Sequence, residues 1–228
     1  MKKEVIVISL GGSLIVPDKI DIGFLKKFKK VLIKNTKNYK FVVVTGGGST
    51  ARKYINALRK EGKSKYLQSL MGISVTRLNA RFVSYFFGKD PKKGIPYDMK
   101  HVKGLVSKND IVFCGALRYA PKQTSDSTSA KLASYLGAKF VNLTNVKGLY
   151  SANPAKYKSA KFIPKISRVE MYKMMMKFKF KAGQHAPLDQ TAVKVIKDHK
   201  IPVFLLGKNM KNFDNFLKGK KFIGTVID

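Results

Sequence analysis

Residues 5–13 read Val5-Ile6-Val7-Ile8-Ser9-Leu10-Gly11-Gly12-Ser13, and residues 41–49 answer them with Phe41-Val42-Val43-Val44-Thr45-Gly46-Gly47-Gly48-Ser49. Each segment is a short apolar run rich in β-branched residues that breaks into glycines, the pattern of a buried strand turning into a helix. Glycines there let backbone N–H groups approach a ligand oxygen, and the following helix points its positive end at the same spot. One such loop suits a phosphate, and two on neighbouring strands suit a donor and an acceptor. Tight connection by itself also explains a Gly-rich strand–helix turn.

Further strands are expected near 4–10, 40–45, 110–114, 138–143, 201–206 and 221–227, separated by helical patterns. That alternation predicts an α/β fold with parallel strands joined by crossover helices. Asp21 is placed to cap a helix with Ile22, Leu25, Phe28, Val31 and Leu32 on one face. A helix is expected after Ser49, a longer one through Leu67, Leu70, Met71, Leu78 and Phe82 toward Phe86, and others at 127–136, 167–178 and 188–199. Met174-Met175-Met176, Phe178 and Phe180 read as core or subunit-contact filler.

With 228 residues and no Pro/Ser-rich spacer or fixed-period repeat, the chain reads as a single domain over 1–228. No apolar run reaches bilayer length, so a cytoplasmic location without membrane association is expected. The one cysteine, Cys114, excludes an intramolecular disulfide and reads as a core side chain, and no metal site of protein ligands is expected. The formal net charge is +33, with Lys far outnumbering the six Arg and Glu only at 4, 61 and 170. Sequence readers of nucleic acid lean on Arg for bidentate contacts. The lysines here are dispersed, so nucleic acid is expected to bind only non-specifically.

Three more segments carry candidate chemistry. Gly115 through Asp126 follows a strand and ends in Thr124-Ser125-Asp126 at a helix start, where hydroxyls and N–H groups suit phosphate. Asp126 would repel phosphate and is better suited to organising cations, or else is a plain N-cap. Thr144 to Pro154 is a strand running into a turn with Tyr150, an aromatic able to stack on a purine. Lys181-Ala182-Gly183 is a basic link before a helix.

The ordered set Ser9-Leu10-Gly11-Gly12-Ser13, Gly46 to Ile55, Met71-Gly72-Ile73 with Thr76 to Ala80, Thr124-Ser125-Asp126, Thr144 to Tyr150, Lys181-Ala182-Gly183 and Gly224-Thr225 resembles the amino acid kinase superfamily. Within it the chain is similar to archaeal-type uridylate kinases over essentially its whole length. The resemblance implies a three-layer αβα sandwich with a central mostly parallel sheet. It implies transfer of the γ-phosphoryl of ATP to UMP with Mg2+, usually in a homohexamer. It places the acceptor side and oligomer contacts in the N-terminal part and the ATP side from about residue 140.

Carried over by position, ATP phosphates would lie on Gly11, Gly12, Ser13, Gly48 and Arg52, and the adenine end at Thr144, Asn145, Tyr150 and Asn153. UMP would meet Gly47, Ser69 and the run Tyr119, Ala120, Pro121, Lys122, Gln123, Thr124 and Ser125. Asp126 and Arg52 would carry the transfer. Ser69, Lys147 and Asn153 each stand where the family often has Asp, Ser9 where many members have Lys, and Asn145 where bacterial members have Lys. Another small-molecule kinase of the superfamily, or a degenerate fold that binds nucleotides or nucleic acid without turnover, is the rival reading.

Overall fold

The computed structural model describes residues 3–90, 94–120, 123–177 and 188–228. The elements follow in the order β1 (Glu4–Leu10), α1 (Gly12–Ile15), α2 (Ile22–Asn35), β2 (Tyr39–Thr45), α3 (Gly48–Lys60), α4 (Lys65–Phe86), α5 (Met99–Lys108), β3 (Ile111–Cys114) and α6 (Ser125–Leu136). The second half adds β4 (Lys139–Thr144), β5 (Leu149–Tyr150), β6 (Phe162–Ile163), β7 (Lys165–Ile166), α7 (Arg168–Lys177), α8 (Gln190–Asp198), β8 (Val203–Gly207), α9 (Met210–Leu217) and β9 (Gly224–Ile227).

Seven strands form one sheet in the order β3-β2-β1-β4-β8-β9-β7. β3, β2, β1, β4 and β8 run parallel, whereas β9 is antiparallel to β8 and parallel to β7. The chain leaves central β1 toward β2 and β3 and then returns to its other flank with β4. The carboxyl ends on either side of that reversal are where open α/β sheets place their ligands.

Period-two alternation along the strands builds two cores. Ile6, Ile8, Leu10, Phe41, Val43, Val141 and Leu143 face one way and pack with Phe24, Phe28 and Leu32 of α2, Val83 of α4, and Phe213 and Leu217 of α9. Val7, Val42, Val44, Val112, Cys114 and Phe140 face the other way and pack with Leu132 of α6, Met171 of α7 and Ile196 of α8. The result is the expected three-layer sandwich. Cys114 is fully enclosed, and burial pushes its thiol up to about 12, an unreactive core group.

Several expectations need adjustment. Helix α6 opens at Ser125, two residues before the expected 127, because Thr124 takes the cap position. Helix α8 opens at Gln190 because Asp189 caps it, accepting a bond from the Ala192 N–H at 2.7 Å. The expected strand at 221–227 forms only from Gly224, where pairing with Leu206 begins. Ile22 is half exposed, so the buried face of α2 starts at Phe24. Met175 is buried but Met176 is exposed, and Phe178, Phe180 and Lys181-Ala182-Gly183 lie outside the described residues. Helices α5 and α9 were not expected. The first buries only Val102 and Val106, with Met99 and Leu105 half-buried against the same core around Gly104, and the second is short and interrupted by Lys and Asn.

Candidate functional site

The two glycine loops touch each other. Gly11 N–H donates to the Leu143 carbonyl of β4 at 3.1 Å, and Gly46 N–H donates to the Leu10 carbonyl of β1 at 2.9 Å. A Cβ on Gly12 would lie 2.0 Å from the Gly48 nitrogen and 2.7 Å from the Gly46 carbonyl carbon, so no side chain fits between the loops. Gly48 has φ +65 and its missing Cβ would meet the Gly12 and Val16 carbonyl oxygens at 2.6 and 2.8 Å. Gly12 and Gly48 are buried, whereas Gly11, Ser13 and Gly47 are partly open. Glycine is therefore required first for close packing of loop on loop, and the open backbone is that of Gly11, Ser13 and Gly47.

Helix α4 locks this arrangement from the α2 face. Asn79 Nδ2 donates to the Gly46 carbonyl at 2.8 Å, and Thr45 Oγ1 donates to the Thr76 carbonyl at 2.8 Å. Thr76 Oγ1 accepts the Ala116 N–H at 2.9 Å, while Arg77 donates from Nε to the Ala116 carbonyl at 3.1 Å and from Nη2 to the Leu117 carbonyl. The segment after β3 is thus tied to the helix that supports the second glycine loop. Tyr119 meets Tyr66 edge-on at 4.8 Å, bringing the start of α4, where Ser69 lies one turn further on, beside this segment. Ser69 is exposed and its hydroxyl donates to the Lys65 carbonyl at 2.8 Å. Ala120 and Gln123 are partly buried, and Pro121 and Lys122 lie outside the described residues.

Ser9 and Asn142 are register partners on β1 and β4 and point to the α6 side of the sheet, as Val7 and Phe140 do two residues earlier. Both donate to Asp126 Oδ1, Ser9 Oγ at 2.7 Å and Asn142 Nδ2 at 3.3 Å. Asp126 therefore does not cap α6. Thr124 does, accepting the Asp126 N–H at 3.1 Å, with Ser127 Oγ accepting the Thr124 N–H at 2.8 Å in return. Burial, and secondarily the Asp189 carboxylate, push the Asp126 carboxyl up to about 7, with the Ser9 hydroxyl pulling the other way.

Asp189 is buried and joins α6 to α8. Its Oδ1 caps α8, and its Oδ2 accepts from Thr124 Oγ1, the Ser127 N–H at 3.2 Å and Ser127 Oγ at 3.1 Å. The sequence carries a cue for it, an Asp just before a helical pattern, but nothing local links it to residue 124.

Residues 4–207 match the model of the amino acid kinase family. The chain belongs to that family. It is similar to the uridylate kinase of Thermococcus kodakarensis, 32% identical over 225 residues that span 98% of this chain and 99% of the relative. It is 34% identical to the uridylate kinase of Thermoplasma volcanium over 227 residues, 99% of this chain and 98% of the relative. The solved uridylate kinase of Archaeoglobus fulgidus superposes with a TM-score of 0.83 at 30% identity, covering 98% of this chain and 99% of that one.

On this amino acid kinase fold the other expected residues divide. Thr144 ends β4 beside the Asp126 cluster, with its hydroxyl donating to Asn145 Oδ1 at 3.3 Å. Tyr150 sits on the β5–β6 ribbon, edge-on to Phe162 at 5.5 Å. Asn153 accepts the Ala155 N–H on Oδ1 at 2.9 Å, a turn bond that an Asp would make equally well. Asn145 and Arg52 are exposed, and no described residue pairs with the Arg52 guanidinium. Lys147 lines a cleft of about 230 Å³ with Gly207, Asn209 and Lys211, and no described cation pairs with Asp126.

Proposed function

We propose that this chain is an ATP-dependent UMP kinase. The observation that carries the reading is the direct contact of the two glycine loops at the carboxyl ends of β1 and β2, next to Asp126 at the start of α6. Donor and acceptor phosphates bound on such loops are neighbours, as phosphoryl transfer requires. A UMP phosphate oxygen forms the new bond to the γ-phosphorus while the bond from that phosphorus to the β–γ bridging oxygen breaks, giving UDP and ADP.

In this reading Gly11, Gly12, Ser13, Gly48 and Arg52 hold the ATP phosphates, and Thr144, Asn145, Tyr150 and Asn153 receive the adenine end. Gly47, Ser69 and residues 119–125 receive UMP, so the acceptor side lies before about residue 140. The Asp126 and Ser127 amides of α6 are already bonded to Thr124 Oγ1 and Asp189 Oδ2, so the helix contributes chiefly the positive end of its dipole to charge that collects during transfer, and Asp126, anchored through Ser9 and Asn142, orders the cations around it. Among the described residues no cluster of three or more His, Cys, Asp or Glu forms a metal cage. In this reading Mg2+ would arrive with ATP, whose phosphate oxygens are its natural ligands, and would neutralise phosphate charge during transfer.

Self-association is part of the reading. Leu67, Leu78 and Tyr85 recur at spacings that keep them on one face of α4, and they are 46%, 58% and 51% exposed. A homohexamer in the cytoplasm is the expected form, and no described helix is long and apolar enough to cross a membrane. A coupled assay with ATP, Mg2+ and a panel of nucleoside monophosphates, amino acids and isopentenyl phosphate tests the substrate. ADP formation with UMP is expected, and turnover only with another acceptor would overturn it.

A further inference from the structure

The Gly224-Thr225 pair closes the sequence pattern, yet neither residue has a part in the proposed site. Thr225 is fully buried in β9, opposite Leu205 of β8. Its hydroxyl leaves the sheet sideways. Oγ1 accepts the Leu149 N–H at 2.8 Å and donates to the Ile163 carbonyl at 2.5 Å. Those two partners are themselves register neighbours across the β5–β6 ribbon, so one side chain pins both ribbon strands. The ribbon continues into the sheet through Val226 N–H, which donates to the Pro164 carbonyl at 2.9 Å.

The turn before the ribbon is pressed onto the same hydroxyl. A Cβ on Gly148 would lie 2.7 Å from Thr225 Oγ1 and 2.9 Å from the Phe162 ring. Only a hydroxyl can accept and donate in this place, and a Val there would leave a buried N–H and a carbonyl without partners. The two-residue strands of the ribbon offer little pairing of their own.

We infer that Thr225 is a positioning residue for nucleotide binding: it sets the β5–β6 ribbon, and with it Tyr150, against the end of the sheet, so that ATP affinity depends on it while UMP affinity does not. This rests on the reading that the ribbon receives the adenine end of ATP.

The test compares the full chain with Thr225→Ser, Thr225→Val and Gly148→Ala. Readouts are KM for ATP and for UMP, calorimetric binding of ATP alone, and hydrogen–deuterium exchange of residues 149–163. Thr225→Val should raise KM and Kd for ATP about 10-fold, the size expected when buried partners are left unpaired, with KM for UMP within about twofold. It should also speed exchange at Leu149. Thr225→Ser keeps the hydroxyl and should stay within about twofold of the unaltered chain in every readout. Gly148→Ala displaces the hydroxyl and should resemble Thr225→Val, which covers the case in which that variant fails to fold.

Equal loss of ATP and UMP affinity, or unchanged exchange over the ribbon in both Thr225→Val and Gly148→Ala, would overturn the inference. If the unaltered chain neither binds ATP nor phosphorylates UMP, the kinase reading fails by itself. The exchange comparison then still decides whether Thr225 sets the ribbon.

Discussion

At the scale of single residues the proposed chemistry rests on Asp126. Its carboxyl is held by Ser9 and Asn142, loses solvation on burial and feels Asp189, which raises it to about 7. In the unfolded chain an Asp titrates near 4, so between about pH 4 and 7 the folded state holds the extra proton and stability falls as pH rises through that window. Asp126→Asn does not titrate. Its melting temperature should match the unaltered chain near pH 4 and exceed it near pH 8, while kcat drops at least ~100-fold and the Kd for ATP stays within about threefold. Equal kcat in the two proteins would remove Asp126 from the transfer step. The sequence pointed to Asp126 through Thr124-Ser125-Asp126 but left cap and catalysis open. The structure removes the cap reading: the alternation of β1 and β4 places Ser9 and Asn142 on the same side as α6, where both donate to Asp126 while Thr124 caps the helix.

Elements depend on each other here through backbone contacts that local pattern does not reveal. Gly12→Ala places a methyl 2.0 Å from the Gly48 nitrogen, and backbone cannot yield as a flexible side chain would. The loops must part, and the expected outcome is a large fall in melting temperature together with loss of activity. Gly62→Ala is the control, since that residue has φ +65 but open space around its Cβ, so only modest strain is expected. Asn79→Ala leaves the Gly46 carbonyl without its partner and should cost about 1–3 kcal/mol by denaturant unfolding, an effect set by a bond spanning 33 positions. Helix periodicity was legible in α2, α3 and α4. Their mutual locking through Thr76, Arg77 and Asn79 was not, because those polar residues look like any others on a helix until β2 and β3 are set beside them.

The molecule as a whole carries a formal net charge of +33, most of it on dispersed lysines. Such a chain repels itself, and raising salt from about 50 to about 500 mM shortens the Debye length severalfold, so the melting temperature should rise with added NaCl. RNA and DNA of unrelated sequences should bind alike at low salt and release steeply as salt increases, and one sequence retained at physiological salt would contradict a purely compositional origin of the charge. Light scattering should find a multimer that Leu78→Glu reduces in size, because a charge on the exposed stripe of α4 cannot be desolvated without a partner. The sequence by itself determined the α/β class, most strands of the sheet and the candidate phosphate loops, since apolar alternation and glycine placement act over a few neighbouring residues. Tertiary structure alone decided that the two glycine loops pack on each other, that Asp189 joins α6 to α8 and that Thr225 pins the β5–β6 ribbon. Each of these joins residues 34 to 76 positions apart, and what makes them partners is the order of strands in the sheet, which no local pattern encodes.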